Sequence, residues 1–177
     1  MKTLVKILVL VIFMGCMPAN HVFFTPYVVL KGQTACLTRL SSMPIPTNVL
    51  RFEFKTNDSW TWPDENGISK VFGIYWLEPH LTSVRIGKMN GWLWFYVWEK
   101  GRSPQQDKRL KGKLYKWETN KTYKAITGLI GNKFIVSIND TTIQILTDYK
   151  VENPAGYCLP NLWKPIGHNW LVPVKLI

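Results

Sequence analysis

The chain has 177 residues, of which 46% are hydrophobic and 14% aromatic, and its formal net charge at pH 7 is +11. A hydrophobic share this high excludes an intrinsically disordered chain, and the scattered glycines and prolines have no collagen-like period. We therefore predict one basic globular domain that is large enough to bury a substantial core.

The first nineteen residues have the pattern of an export signal. Lys2 and Lys6 form a short basic region, and residues 7–14 form an apolar run that is too short to span a bilayer. Cys16 lies in a segment that resembles a bacterial lipobox, in which the cysteine becomes lipidated. The alternative is cleavage near Ala19. We predict a protein that is secreted or held at the cell envelope as a lipoprotein, with membrane contact only through the lipid anchor.

The mature chain shows no internal boundary. We expect residues 20–47 to supply an N-terminal strand and a lead-in, and residues 48–177 to form a β-sandwich domain. Cys36 and Cys158 are the two cysteines behind the signal. In an oxidising compartment one arrangement is a disulfide between them. Two separate buried thiols are the alternative, because sequence spacing does not show the geometry of the pair.

Short β-branched and aromatic runs alternate with turn signals along the mature chain, and no window has helical periodicity. Asn90-Gly91 and Asn139-Asp140 indicate hairpins, and Pro173 favours a sheet edge for the last run. We predict an all-β fold, a two-sheet antiparallel β-sandwich (jelly roll). The predicted strands are residues 27–30, 49–55, 70–77, 82–88, 91–99, 114–117, 123–127, 132–138, 142–146 and 170–177.

The most informative run is Gly91–Glu99, with the sequence GWLWFYVWE. Alternation places its largest rings on one face, about 7 Å apart: Trp92, Trp94, Tyr96 and Trp98. The opposite face carries smaller apolar residues that fit a sandwich core. The rings could then form an outer platform on which sugars stack, with indole N–H and phenol O–H groups left to form hydrogen bonds. The alternative is that the rings are themselves part of the core.

Five further residues are candidates for ligand contacts. Trp60 and Trp62 lie in the turn-rich segment NDSWTWPDENG, where packing demands are weaker, so we predict ligand contacts or loop anchoring for them. Arg51, Lys55 and Arg85 would favour acidic sugars if they lie beside the rings.

Nine basic residues crowd into residues 100–124, which we call the basic stretch, against two acidic residues. A region of this kind attracts polyanions. Because an exported protein rarely meets nucleic acid, we expect an acidic polysaccharide or an anionic cell surface as the partner, and no nucleic acid. A solvated charged loop is the alternative. The basic residues are Lys100, Arg102, Lys108, Arg109, Lys111, Lys113, Lys116, Lys121 and Lys124.

Three stretches carry a resemblance to a known group: NVLRFEFKTNDS at residues 48–59, WETNKTYKAITGLIGNKFIVSINDTTIQI at 117–145, and LWKPIGHNWLVPVKLI at 162–177. Together they cover most of the mature chain. They resemble the concanavalin A-like lectin/glucanase superfamily, the jelly-roll group that includes laminin-G-type domains. The resemblance implies a jelly-roll sandwich, and the superfamily includes glycoside hydrolases and polysaccharide lyases as well as lectins.

A catalytic site of the kind used by those enzymes is not evident. Glycoside hydrolysis requires two carboxylates flanking the scissile bond, and no strand carries two at alternate positions. If the protein is an enzyme, Glu53 and Glu99 are the candidates. Residues 51–55 are similar to the R-x-E-x-R pattern of alginate lyases, but the companion Gln-x-His motif is absent. No metal-ligand spacing and no phosphate loop occur, so we expect neither metal nor cofactor.

The sequence therefore predicts a carbohydrate-binding, lectin-like domain for acidic glycan, which acts by aromatic stacking and Lys/Arg contacts. One alternative is a lyase or hydrolase of the same fold. A second is a non-catalytic cell-surface protein with a structural or interaction role. The oligomeric state is left open.

Overall fold

The computed structural model describes residues 23–36, 47–61, 67–77, 81–101, 104–150, 154–162, 164 and 166–177. The predicted export signal with Cys16, and Trp62, lie outside the described residues. Two single turns of 3-10 helix occur in the described part, at Asp58–Trp60 and Pro104–Gln106. No helix there has the length and apolar character needed to cross a membrane.

Eleven strands are described, numbered here in chain order. They are β1 Thr25–Val29, β2 Val49–Lys55, β3 Ser69–Trp76, β4 Thr82–Met89, β5 Trp92–Glu99, β6 Lys108–Lys116, β7 Thr122–Ile130, β8 Lys133–Ile138, β9 Thr141–Leu146, β10 Pro154–Cys158 and β11 Trp170–Leu176.

The strands form two antiparallel sheets that pack face to face, which confirms the predicted all-β sandwich. The six-stranded sheet has the order β1-β11-β2-β7-β8-β9, and the five-stranded sheet has the order β10-β3-β4-β5-β6. Inward residues of both sheets share one core, because alternate residues of a strand point to the same face. Its largest members are fully buried aromatic side chains: Trp60, Trp76, Trp170, Tyr123, Phe52, Phe54, Phe72 and Phe134.

Both predicted hairpins are confirmed, and their turns have the backbone that short hairpin loops require. Asn90 and Gly91, between β4 and β5, have φ values of 51° and 73°. Asn139, between β8 and β9, has a φ of 52°. Asparagine and glycine adopt this left-handed region more readily than other residues. A third hairpin, which was not predicted from the sequence, joins β7 to β8 through Gly131 with a φ of 57°.

The edge position predicted for the last strand is wrong. β11 lies between β1 and β2. Its pairing with β2 begins only at Val174, so Pro173 lies beyond that ladder and faces Pro26 of β1. Neither proline has an N–H to donate, and this pair therefore occupies a position of the ladder that requires no hydrogen bond between the two residues.

Candidate functional site

The two faces of β5 differ in burial, as expected if the large rings form an outer platform. Leu93 is 0% exposed and Val97 1% exposed, and both belong to the core between the sheets. The four large rings alternate with them on the outer side of the five-stranded sheet, where each is only partly buried. The smaller side chains are therefore the core side, and we call the outer surface formed by Trp92, Trp94, Tyr96 and Trp98 the ring face.

Among the described residues, no strand forms a second layer over the ring face. All eleven described strands belong to the two sheets, and the six-stranded sheet packs on the opposite, inner side of β5. Ile68 covers the corner of the ring face near Trp94. Its methyl group occupies the position that a Cβ on Gly87 would take, and Gly87 is the β4 partner of Trp94. The part around Tyr96 and Trp98 is bordered instead by long basic side chains.

The basic stretch lies directly beside these rings. Residues 108–116 form β6, the edge strand paired with β5, and not a solvated loop. A register shift near Leu93 keeps the outward residues of both strands together. Charged side chains also protect a sheet edge from pairing with another chain. The outward pairs are Trp98 with Arg109, Tyr96 with Lys111, Trp94 with Lys113, and Trp92 with Lys116.

Some of these cations lie over the rings themselves. Lys113 Nζ is 5.1 Å from the ring centroid of Trp92, and Arg109 Cζ is 6.0 Å from that of Trp98. Both distances are within the range in which a cation is attracted to an aromatic face. The ring face is therefore a mixed surface of aromatic rings and positive charges.

Asp107 holds one end of this surface in place. Its carboxylate accepts hydrogen bonds from the indole Nε1 of Trp98 at 3.1 Å, from the Gly101 backbone N–H at 2.9 Å and from Arg109 Nη2 at 3.4 Å. The Gly101 N–H, followed by the Trp98 indole and then Arg109, lowers the pKa of this carboxyl below its ordinary value of 3.8. The ionised form of Asp107 therefore fixes a ring and a cation together.

We expect Asp107→Asn to lower stability at neutral pH but not in strong acid. Because the pKa is lowered in the folded state, the stabilisation is complete above the ordinary carboxyl pKa and is lost as the pH falls below it. The gap between the wild-type and variant midpoints of urea unfolding should be wide at about pH 6 and should narrow as the pH falls below 3.8. Asp148→Asn, at an exposed position, is the control. A gap of constant width would show that the charge of Asp107 is not involved.

The opposite border of the ring face comes from β3 and β4. Arg85 pairs with Tyr96, and Lys70 Nζ lies 5.2 Å from the ring centroid of Tyr96. On β3, Gly73 pairs with Arg85, and a Cβ there would lie 3.1 Å from Arg85 Cγ. The missing side chain therefore leaves space for the arginine to lie across β3 towards Cys158 of β10, which pairs with Gly73.

A cavity of about 330 Å³ opens beside Arg85. Its lining includes Tyr75, Tyr157, Asn161 and both cysteines. Cys36 and Cys158 are not joined by a disulfide in this structure, which therefore has the two separate thiols that the sequence analysis gave as the alternative. Arg85 donates a hydrogen bond to Cys158, but burial is the larger effect and raises the pKa of that thiol. Cys158 is therefore an uncharged side chain at neutral pH.

Trp60 is not a ligand contact, which corrects the sequence prediction. It is 0% exposed and lies among the aromatic residues of the core, stacked on Phe54 at a centroid distance of 6.0 Å. Its indole Nε1 donates to the Leu171 carbonyl at 2.9 Å. The turn signals around it mark a 3-10 turn that carries the ring inward, so the structure supports the loop-anchor alternative.

The expectation that Arg51 and Lys55 lie beside the rings is also wrong. Both lie on β2, with the exposed positions of the six-stranded sheet, on the opposite side of the sandwich from the ring face. Lys55 Nζ lies 4.2 Å from the ring centroid of Phe24. Of the three basic residues proposed as a rim, only Arg85 borders the rings. Period-2 alternation shows which residues share a face, but it does not show which sheet a strand joins.

The two carboxylates considered for catalysis lie on different sheets. Glu53 is on the outer side of β2 and forms an ion pair with Lys175 at 3.5 Å. Glu99 ends β5, where it accepts a hydrogen bond from Thr147 Oγ1 at 3.2 Å and lies 3.9 Å from Lys108 Nζ. Packed sheets are about 10 Å apart, so this pair does not flank a single glycosidic bond.

Three residues of this surface were not singled out as candidates from the sequence, namely Lys70, Tyr75 and Asp107, and the outward cations of β6 were predicted only as part of the basic stretch. The β6 cations had a readable signal, since alternation in KRLKGK puts Arg109, Lys111 and Lys113 on one face. Lys70 had none, because its place over Tyr96 depends on the pairing of β3 with β4.

Among the described residues, no three His, Cys, Asp or Glu side chains are grouped so that they could hold a metal ion. Comparison with known proteins does not place the chain in a family: no family model matches it, and no curated protein is significantly similar to it.

Proposed function

We propose that the protein binds an acidic carbohydrate on the ring face and has no catalytic role there. The observation that carries the proposal is the pairing of β5 with β6, which sets a row of partly exposed rings beside a row of outward cations. Aromatic surface binds the apolar faces of sugar rings, and Lys or Arg binds their acidic groups. A surface with both suits a sugar polymer that carries negative charge.

The dimensions of the ring face suit a linear ligand. From Trp92 to Trp98 the strand rises by about 20 Å, at about 3.4 Å per residue, which accommodates several sugar units in a row. Lys113 and Arg109 reach over the ring edges on long flexible stems. Lys113 can shift from its ring to a carboxylate or sulfate group of the ligand, because a cation–π contact is weak, whereas Arg109 is also held by the Asp107 carboxylate at 3.4 Å.

The same proposal includes the location of the protein. The N-terminal pattern suggests export to the cell surface or the medium, where acidic polysaccharides occur. The resemblance of residues 48–59, 117–145 and 162–177 to the concanavalin A-like lectin/glucanase superfamily supports a carbohydrate ligand. The separation of Glu53 from Glu99 on different sheets favours binding over hydrolysis by that pair.

A glycan panel at two ionic strengths tests the proposal. At about 0.01 M salt, where charges act over about 30 Å, we expect acidic polysaccharides to bind more tightly than neutral ones of the same backbone. At about 1 M salt binding should weaken but persist, because ring stacking is not screened. If no glycan binds at low salt, the proposal is wrong. Complete loss of binding at high salt would show simple ion exchange without a contribution from the rings.

A further inference from the structure

Among the described strands, β9 is a sheet edge that lacks the usual protection against pairing with another chain. An edge strand presents a row of backbone N–H and C=O groups, and proteins protect such edges with charge, proline, bulges or short length. β9 has the sequence TTIQIL, with no charge, proline or glycine, and its ladder with β8 is regular over all six residues. We propose that β9 is a dimer interface, at which the β9 strands of two copies of this chain pair antiparallel and join their six-stranded sheets.

The other three edge strands of the described sheets each carry a protective feature. β6 is rich in charge, since five of its nine residues are Lys or Arg. β1 has only five residues and includes Pro26. β10 also has five residues, begins at Pro154 and has an irregular register with β3. β9 therefore differs from the edges of this protein that are kept from pairing.

The hydrogen-bond pattern of β9 shows which backbone groups face the open edge. In an antiparallel pair, alternate residues of a strand bond to its neighbour. The Thr147 N–H donates to the Asn132 carbonyl at 2.9 Å, one step beyond the ladder of β8 with β9. In steps of two from Thr147, the residues of β9 that bond to β8 are Ile145, Ile143 and Thr141. The backbone groups of the intervening residues point away from β8, and these residues are all exposed: Thr142, Gln144 and Leu146.

A two-fold register centred on Gln144 gives each of these outward groups a partner. Gln144 then pairs with Gln144 of the second copy, and Thr142 pairs with Leu146 of the second copy. On the core side of the sheet, Ile143 lies opposite Ile145 of the second copy. Both isoleucines pack against the core but are only partly buried, so the pairing covers apolar surface that a single copy leaves exposed. This self-complementarity favours a second copy over a foreign strand.

The neutrality of β9 also suits a partner of the same charge. The chain has a net charge of +11, and like charges on paired strands repel each other. β6 packs opposite β8 and β9, so the two basic strands of a dimer lie near its junction. Salt should therefore strengthen the dimer by screening these strands, whereas it should weaken the binding of an acidic glycan.

The symmetry of this pairing determines the direction of the two ring faces. A two-fold axis that joins antiparallel strands into one sheet is perpendicular to the sheet, so each face of the sheet continues on the same side. Both five-stranded sheets then lie on one side, and both ring faces point the same way. Two binding surfaces on one side increase the avidity for a polymer without new contacts. This consequence rests on the proposed function, whereas the dimer itself does not.

Sedimentation equilibrium of the purified protein tests the dimer. We expect Gln144→Pro to raise the dissociation constant of the dimer about tenfold or more, because proline has no N–H for the central pair. That N–H points away from β8, so the midpoint of urea unfolding should change little. Gln144→Lys places two like charges at the two-fold axis and should weaken the dimer as much, and it serves if the proline variant does not fold. Leu77→Lys, at a position that is 57% exposed, adds the same charge away from β9 and is the control.

Two results would overturn the interface. One is a wild type that stays monomeric at about 1 mM, the concentration at which even weak association is detected. The other is a dimer that both Gln144 variants form as tightly as Leu77→Lys does, because association would then use another surface. Glycan binding by the ring face is measured separately, so either result leaves the proposed function standing.

Cysteine cross-linking tests the register. The Cα atoms of the two Gln144 residues would be about 5.5 Å apart, within the range of a disulfide. Those of the two Thr142 residues would be about 14 Å apart, at about 3.4 Å per residue along the strand. Under mild oxidation we expect Gln144→Cys to form an intermolecular disulfide, located by peptide mass spectrometry, and Thr142→Cys, which is also exposed, to form none. Equal linkage at both positions, or none at Gln144→Cys, would show that this register is wrong.

Discussion

Replacing Trp60 by alanine is expected to lower the free energy of unfolding by about 3–5 kcal/mol, the usual cost of removing a large buried ring. Trp60 contacts three other aromatic rings, stacked on Phe54 and edge-on to Trp170 at 5.4 Å, with Trp117 at 6.3 Å. The alanine variant leaves a cavity among these rings that the rigid ends of β2 and β11 cannot close. A loss of this size is a large part of the stability of an ordinary domain.

The hydrogen bonds at this turn indicate that the stability lost in Trp60→Ala comes from the packing of the ring. The Leu171 carbonyl accepts from the Trp60 indole, and also from Asn57 Nδ2 at 3.0 Å. It therefore keeps a partner when the indole is removed, and the lost stability comes chiefly from packing. Trp60→Phe, which retains most of the ring volume, should lose much less.

Urea unfolding at equilibrium measures the effect, read as a lower midpoint at an unchanged slope. Glycan binding by the folded fraction of Trp60→Ala should equal that of the wild type. A variant with wild-type stability and lost glycan binding would restore the ligand-contact role that the sequence suggested.

The sequence predicted the sandwich, and it predicted which residues of β5 share a face, because both depend on local alternation. In GWLWFYVWE the small and large side chains separate at a period of two, and this pattern determines which residues of β5 share a face once the strand forms. The choice between core and surface for the rings came only with the structure, since both faces are apolar.

The sequence did not predict the role of residues that depends on pairing between distant strands. Arg51 and Arg85 look alike in sequence, each on an alternating strand, yet β2 joins one sheet and β4 the other. Lys70 borders Tyr96 only because β3 and β5 flank β4. Trp60 appeared to lie in an exposed loop because polar turn residues surround it, although the turn directs its ring inward. Such non-local contacts leave no periodic signal in the chain.

The ring face itself is tested most directly at Trp98. We expect Trp98→Ala to weaken binding of an acidic oligosaccharide by about 1–3 kcal/mol, or about five- to 150-fold, the range found when an aromatic ring that stacks on a base is removed. Trp98 is only partly buried, so its loss should cost much less stability than the loss of Trp60. The neutral form of the oligosaccharide should lose about as much affinity, because stacking does not depend on charge.

Trp98→Phe is the matched control that separates stacking from the hydrogen bond to Asp107. Phenylalanine keeps an aromatic face but cannot donate to the Asp107 carboxylate, which retains the Gly101 N–H and Arg109. We expect it to keep most of the affinity that alanine loses, measured by calorimetric titration at about 1 M salt, where the charges are screened. If alanine and phenylalanine bind equally well there, the rings do not stack on the sugar, and the cations of β6 must account for any binding that remains at low salt.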